Sequence, residues 1–145
     1  MSTGAADVVR DYYDALRQGE PLEPYFRESD ATVKFGISEA LFGSDAVAEA
    51  LRSQTETTDE WSVESSNLVV DQREAFATFA DEVTMAWRET ESGARHRFDS
   101  RWSGSLVPAD DASAAGDSAG ERATETDPDP DWLFTSMHVS APQDL

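Results

Sequence analysis

The 145-residue chain has no cysteine, one lysine and two histidines. Without cysteine there are no disulfides, no thiolate metal sites and no cysteine nucleophiles. The histidines, His96 and His138, have no partners at metal-site spacing, and no His-Glu-x-x-His helix occurs. Asp127-Pro128-Asp129-Pro130-Asp131 alternates acids as a calcium loop does, but lacks the glycine and the distant glutamate of such a loop. Neither a metal nor another cofactor is expected. Gly-x-Ser-x-Gly, phosphate loops and internal repeats are missing, and Ser103-Gly104-Ser105 lies inside a strand pattern rather than on a nucleophile elbow. No apolar run approaches about 18 residues, and Met1 to Asp7 shows no basic-then-apolar leader. These absences point to a cytoplasmic protein with no membrane association.

Acid is what the chain has in excess. Thirty acidic residues stand against eleven basic ones, a net charge of −19, and Lys34 is the only lysine. The acids are spread over every segment rather than gathered in a tail. One reading is a soluble acidic protein. The reading preferred here is a chain adapted to a high-salt cytosol, where screening over a few ångströms removes most self-repulsion. Such a surface repels phosphate backbones, so nucleic acid is a poor partner.

Ala5 to Gln18 reads as an amphipathic helix, with Val8, Tyr12 and Leu16 at four-residue spacing, Ser2 or Thr3 as cap and Gly19 as stop. Pro21 to Phe26 reads as a short second helix or turn. Ala31 to Gly36 is a short strand, and Gly43-Ser44 starts a third helix from Asp45 to about Gln54. After Asp59 the texture turns to β: Trp61–Val70, Glu74–Glu89 and Arg95–Val107, joined by short connections, predict an antiparallel meander. In the middle strand Ala77, Phe79, Asp81, Val83, Met85 and Trp87 form the more apolar face, though neither face reads as plain solvent surface. From Pro108 to Pro130 large apolar side chains vanish, which predicts a flexible acidic insertion between two paired strands. Asp131 to Pro142 returns as the last strand. Helices followed by a twisted sheet predict one α+β domain over residues 1–145.

Three stretches resemble the NTF2-like superfamily, in particular its SnoaL-like members. Val8-Val9-Arg10-Asp11-Tyr12-Tyr13-Asp14-Ala15-Leu16 followed by Gly19 resembles the first helix. Ala31-Thr32-Val33 and Gly43-Ser44-Asp45-Ala46-Val47 resemble the short strand and the helix after it. Trp132 to Pro142, with His138-Val139-Ser140, resembles the last strand of SnoaL-like proteins and of the calmodulin-dependent kinase association domain. The resemblance implies a cone of three N-terminal helices on a curved, mostly antiparallel sheet, a homodimer through the open sheet face, and an apolar pocket for a small molecule. It also implies two alternatives: proton-transfer chemistry on a carbonyl compound (isomerisation, cyclisation or hydration), as in ketosteroid isomerases, or a pure association module without ligand.

By the same resemblance Tyr12 and Asp99 fall where ketosteroid isomerases bind an oxyanion. The family's catalytic carboxylate belongs near Lys34, Phe35 and Gly36, and the next acid, Glu39, reads as a loop residue. Tyr12 is otherwise a core tyrosine. Asp99 and Arg101 share a strand face with Arg95 and Arg97, which reads either as a charge ladder or as a pair aimed into the cone to orient a ligand. Alternation puts His138 with Trp132, Phe134, Ser136 and Ser140, either as a buried structural histidine or as a general base replacing the missing carboxylate. Trp61 and Trp87 are core mass or pocket walls for a ligand.

Overall fold

A computed structural model describes residues 4–109 and 130–142. Ser2, Thr3 and most of the 108–130 insertion lie outside the described residues. Helix α1 (Ala5–Gln18) buries Val8, Val9, Tyr12, Tyr13, Ala15 and Leu16, the stripe its periodicity predicts. It ends at Gly19, whose φ of 71° lets the next amide, that of Glu20, bond back to the Ala15 carbonyl at 2.9 Å. Among the described residues two α-helices form, not three. Between α1 and the sheet, Glu23–Tyr25 makes only one 3-10 turn. Phe26 then goes extended to bridge Phe134, and the Arg27 amide donates to the Phe134 carbonyl at 2.9 Å. The pull of the last strand ends the helix there. The second α-helix, α2 (Ser44–Thr57), starts beyond Gly43 and buries Val47 and Leu51.

The described residues contribute seven strands to the sheet: β1 (Val33–Gly36), β2 (Glu39–Phe42), β3 (Thr58–Ser65), β4 (Val69–Gln72), β5 (Ala77–Glu89), β6 (Arg95–Pro108) and β7 (Trp132–Ser140). They run in the order β2-β1-β7-β6-β5-β3, with β4 on β5 beyond β3. All pairings are antiparallel except β1 with β7. The expected meander is therefore present. The stretch expected as one strand from Trp61 to Val70 is split, because the Asn67 amide turns to the Asp81 carboxylate at 2.9 Å instead of the ladder.

One irregularity sets the faces of the last strand. Ser105 pairs with Ser136 but Leu106 pairs with Phe134, so Thr135 is an extra residue, a β-bulge. Trp132 and Phe134 before it, and Met137 and Val139 after it, are all buried. His138 is consequently exposed on the opposite face, beside Phe35 at 5.7 Å between ring centroids. The expected sharing of a face by His138, Trp132 and Phe134 is overturned by that single residue. Gly104 makes the bulge possible: a Cβ there would lie 2.2 Å from the Ser136 carbonyl oxygen.

Helix α1 lies across the inner face of the sheet, and a buried carboxylate fastens it. Asp81 accepts from Tyr13 Oη (2.9 Å), Ser65 Oγ (2.6 Å) and the Asn67 amide. Three donors make this acid tolerable in an otherwise apolar face. Its burial raises the pKa of the Tyr13 hydroxyl, and the bond to Asp81 raises it further. Among the described residues no helix is long and apolar enough to cross a membrane.

Candidate functional site

Three kinds of side chain converge between the helices and the inner sheet face. The first is aromatic. Tyr12, from the middle of α1, packs edge-on against Phe134 (5.3 Å), Tyr25 (5.5 Å) and Phe26 (5.9 Å). Trp61 on β3 stacks on Trp87 of β5 at 4.7 Å and 17° between planes, and Trp87 also stacks on His96 (5.2 Å) and Phe98 (5.7 Å) of β6. The Trp61 indole N–H is spent on Thr58 Oγ1 and that of Trp102 on Ser100 Oγ. These rings therefore present walls rather than donors.

The second is sulfur and aliphatic surface: Met85 from β5, Met137 and Val139 from β7, and Leu16 from α1. Together with Tyr12, Trp61, Trp87 and Trp102 they line a cavity of about 190 Å³. It is open on one side and reaches Gln54 and Thr58 at the end of α2.

The third is an ion pair. Lys34 lies opposite Met137 in the parallel β1–β7 ladder and so shares its inward face. It is 8% exposed, and Nζ donates to Glu39 Oε1 at 2.9 Å. Glu39 opens β2, directly across from Gly36. The expectation of Glu39 in a loop fails because a two-residue turn at Ile37-Ser38, with Ser38 at φ 63°, folds the chain straight back into a hairpin. Both Lys34 and Glu39 line the cavity with Tyr12. No protein group among the described residues hydrogen-bonds the Tyr12 hydroxyl. Burial raises its pKa most, and the charge of Glu39 raises it further.

The residues expected to carry chemistry are thus divided. Tyr12, Trp61 and Trp87 line the cavity. Asp99 and Arg101 do not pair across the cone: they are exposed on the outer face with Arg95 and Arg97. Asp99 there accepts from Thr84 at 3.1 Å and meets Arg97 at 3.5 Å. Asp99 and Arg101 border an outer depression of about 250 Å³ whose other walls include Ser66, Glu82 and Thr84, a polar surface. His138 is on that outer face too, so Tyr12, Asp99 and His138 are not brought together. Sequence reasoning missed Lys34 and Glu39 as cavity residues. Alternation with Val33 and Phe35 pointed the other way, toward an outward lysine.

Behind Trp87, on which its ring stacks, His96 places Nε2 2.8 Å from Glu89 Oε2. Hydrogen bonds from Ser92 and His96 hold the Glu89 carboxyl below the ordinary glutamate range. This pair tethers the β5–β6 hairpin. Among the described residues no three His, Asp or Glu side chains are placed to hold a metal ion.

No family model and no curated protein sequence matches the chain. Solved structures do. An NTF2-like superfamily protein from Salmonella enterica serovar Typhimurium superposes with a TM-score of 0.70 at 13% identity, covering 95% of this chain and 88% of its own. A ketosteroid isomerase-like protein from Erwinia carotovora atroseptica gives 0.65 at 15% identity over 96% and 94%. An NTF2-like protein of unknown function in nutrient uptake from Rhodospirillum rubrum gives 0.67 at 13% identity over 97% and 100%. The chain has the NTF2-like fold. At these identities the likeness concerns the fold alone, and the site must speak for its own chemistry.

Proposed function

We propose that the protein holds a small, mostly apolar molecule in its cone. The observation that carries this is the 190 Å³ cavity itself, walled by Trp61, Trp87, Met85 and Met137 in a chain whose exterior is so acidic. A cavity of about 150 Å³ accommodates a benzene ring in other proteins, so one or two fused rings match this one. A pure association module with a filled interior would leave no such space. Trp61 and Trp87 report directly on occupancy. Titrating one- and two-ring compounds is expected to change tryptophan fluorescence saturably, with the change abolished in Trp87→Leu. No saturable change with any such compound sinks the reading.

A second reading, proton transfer on a carbonyl compound, is favoured by Glu39, which supplies a carboxylate at the cavity wall. Enzyme-dependent deuterium uptake at the α-carbon of a bound ketone, lost in Glu39→Gln, is its test. His138 and Asp99 take no part in it.

The outer sheet face is read as the meeting surface of a homodimer in a salt-rich cytosol. Phe42 is 67% exposed there and packs on Phe35, and Val69 and Phe76 are also exposed. Sedimentation in molar salt is expected to give a dimer, and dilution into low salt to loosen the fold. A compact monomer under both conditions contradicts both expectations.

A further inference from the structure

Ten of the chain's eleven cationic side chains are arginines, and the one lysine is the cation inside the cone. The two residue types differ in what they offer there. An arginine fork spreads five donors over a plane, whereas an ammonium is compact, with three donors radiating from one atom. Glu39 takes one of those three at 2.9 Å. No other hydrogen-bond partner of Lys34 Nζ occurs among the described residues, and Lys34 lines the same cavity as Tyr12, Met137 and Trp87.

Charge selects what fits that space. Lys34 and Glu39 together are neutral; the lysine is withdrawn from bulk water, while the Glu39 side chain is 36% exposed. A ligand carboxylate beside them would leave one uncompensated negative charge in a cavity of low polarity. A neutral oxygen acceptor meets no such obstacle. It takes a charge-assisted hydrogen bond without disturbing the pair. The flat walls of Trp61 and Trp87 and the adaptable thioethers of Met85 and Met137 suit a ring skeleton attached to that oxygen.

We propose that Lys34 is the polar anchor of the cone, donating to the oxygen of a neutral cyclic carbonyl compound of one or two rings while Glu39 serves as its counter-charge. This rests on the cone being a ligand cavity, and the experiment separates the two claims. Three probes of one skeleton are titrated into the full-length protein in molar salt, followed by tryptophan fluorescence: indane, 1-indanone and indane-1-carboxylate. The expected order is 1-indanone tightest, by about tenfold or more over indane, as a hydrogen bond to a charged donor gives. The carboxylate is expected to be weakest. In Lys34→Met the advantage of the ketone over indane is expected to disappear.

A readout that needs no variant guards against misfolding of Lys34→Met. Because Lys34 is the only lysine, its side-chain nitrogen gives one ¹⁵Nζ resonance. That resonance is expected to move with 1-indanone and to stay with indane. If indane and 1-indanone bind equally, or the resonance ignores the ketone, Lys34 is not the anchor and the cavity reading stands. If the carboxylate binds tightest, the neutral-ligand assignment is wrong. If none of the three binds, the cavity reading itself falls and takes the anchor with it.

Discussion

The two faces of β6 are made from alternate residues of one strand, and they share almost nothing. Inward go Phe98, Ser100, Trp102 and Leu106; outward go Arg95, Arg97, Asp99 and Arg101. Across the ladder Trp102 meets Asp81 and Val139, while Asp99 meets Thr84 and Ser103 meets His138. Around Trp102 the inner face therefore combines apolar mass with polar groups, Asp81 and Ser100, that are hydrogen-bonded. The outer face carries charges whose partners are loose and wet, where an ion pair contributes little. Register alone decides which chemistry a residue joins, and the bulge at Thr135 moves His138 from one to the other.

The sharpest way to break this contrast is at Gly104. Gly104→Ala drives a Cβ into the Ser136 carbonyl and the Phe79 ring, at 2.2 and 3.0 Å. The backbone must move, so a loss of about 3 kcal/mol or more is expected in urea unfolding. Deleting Thr135 tests the same point from the other side. It restores plain alternation while leaving Trp132, Phe134, Met137 and Val139 inward, so it is expected to cost much less than Gly104→Ala and to leave His138 outside. A deletion as damaging as the glycine change refutes the role given to the bulge.

Next in size is the polar exception on the inner face. Asp81→Ala strands the Tyr13 hydroxyl and the Asn67 amide, for a loss of about 2–3 kcal/mol. Alkali attacks the same region. Tyr12 and Tyr13 have folded pKa values raised above their ordinary 10, mainly by burial. Their contribution is complete below pH 10 and is lost as pH rises beyond it, at about 1.4 kcal/mol per pH unit for each tyrosine. Urea midpoints are expected to be flat up to pH 10 and to fall above it, with a shallower fall in Tyr13→Phe. An equal slope in that variant removes Tyr13 from the account.

Much of the fold was legible because its signals are local. The helix stripe of Val8, Tyr12 and Leu16, and the alternation from Ala77 to Trp87, are periodicities that need no partner to be read. The assignment of Arg95, Arg97, Asp99 and Arg101 to one face was equally plain, but which side that face took depended on pairing with β5. His138 was misplaced because a bulge leaves no mark in the residues around it: Thr135 and Ser136 are ordinary strand residues. Lys34 and Glu39 were passed over for a related reason. Their pairing is made by a hairpin only four residues deep, whose second strand, Glu39-Ala40-Leu41-Phe42, is too short to show a period.

The smallest effects belong to the outer face, and they test the division most cleanly. His138→Ala and Arg101→Gln remove side chains that no buried group leans on, so each is expected to change monomer stability by about 0.5 kcal/mol or less. Neither touches the cavity, so affinity for a one- or two-ring ligand is expected to be unchanged in both. If this face meets a second copy, the same substitutions weaken the dimer, and sedimentation across a concentration series detects it. A variant at His138 that weakened ligand binding while leaving the dimer intact would mean that the two faces communicate through β7. The separation drawn from their register would then be structural only.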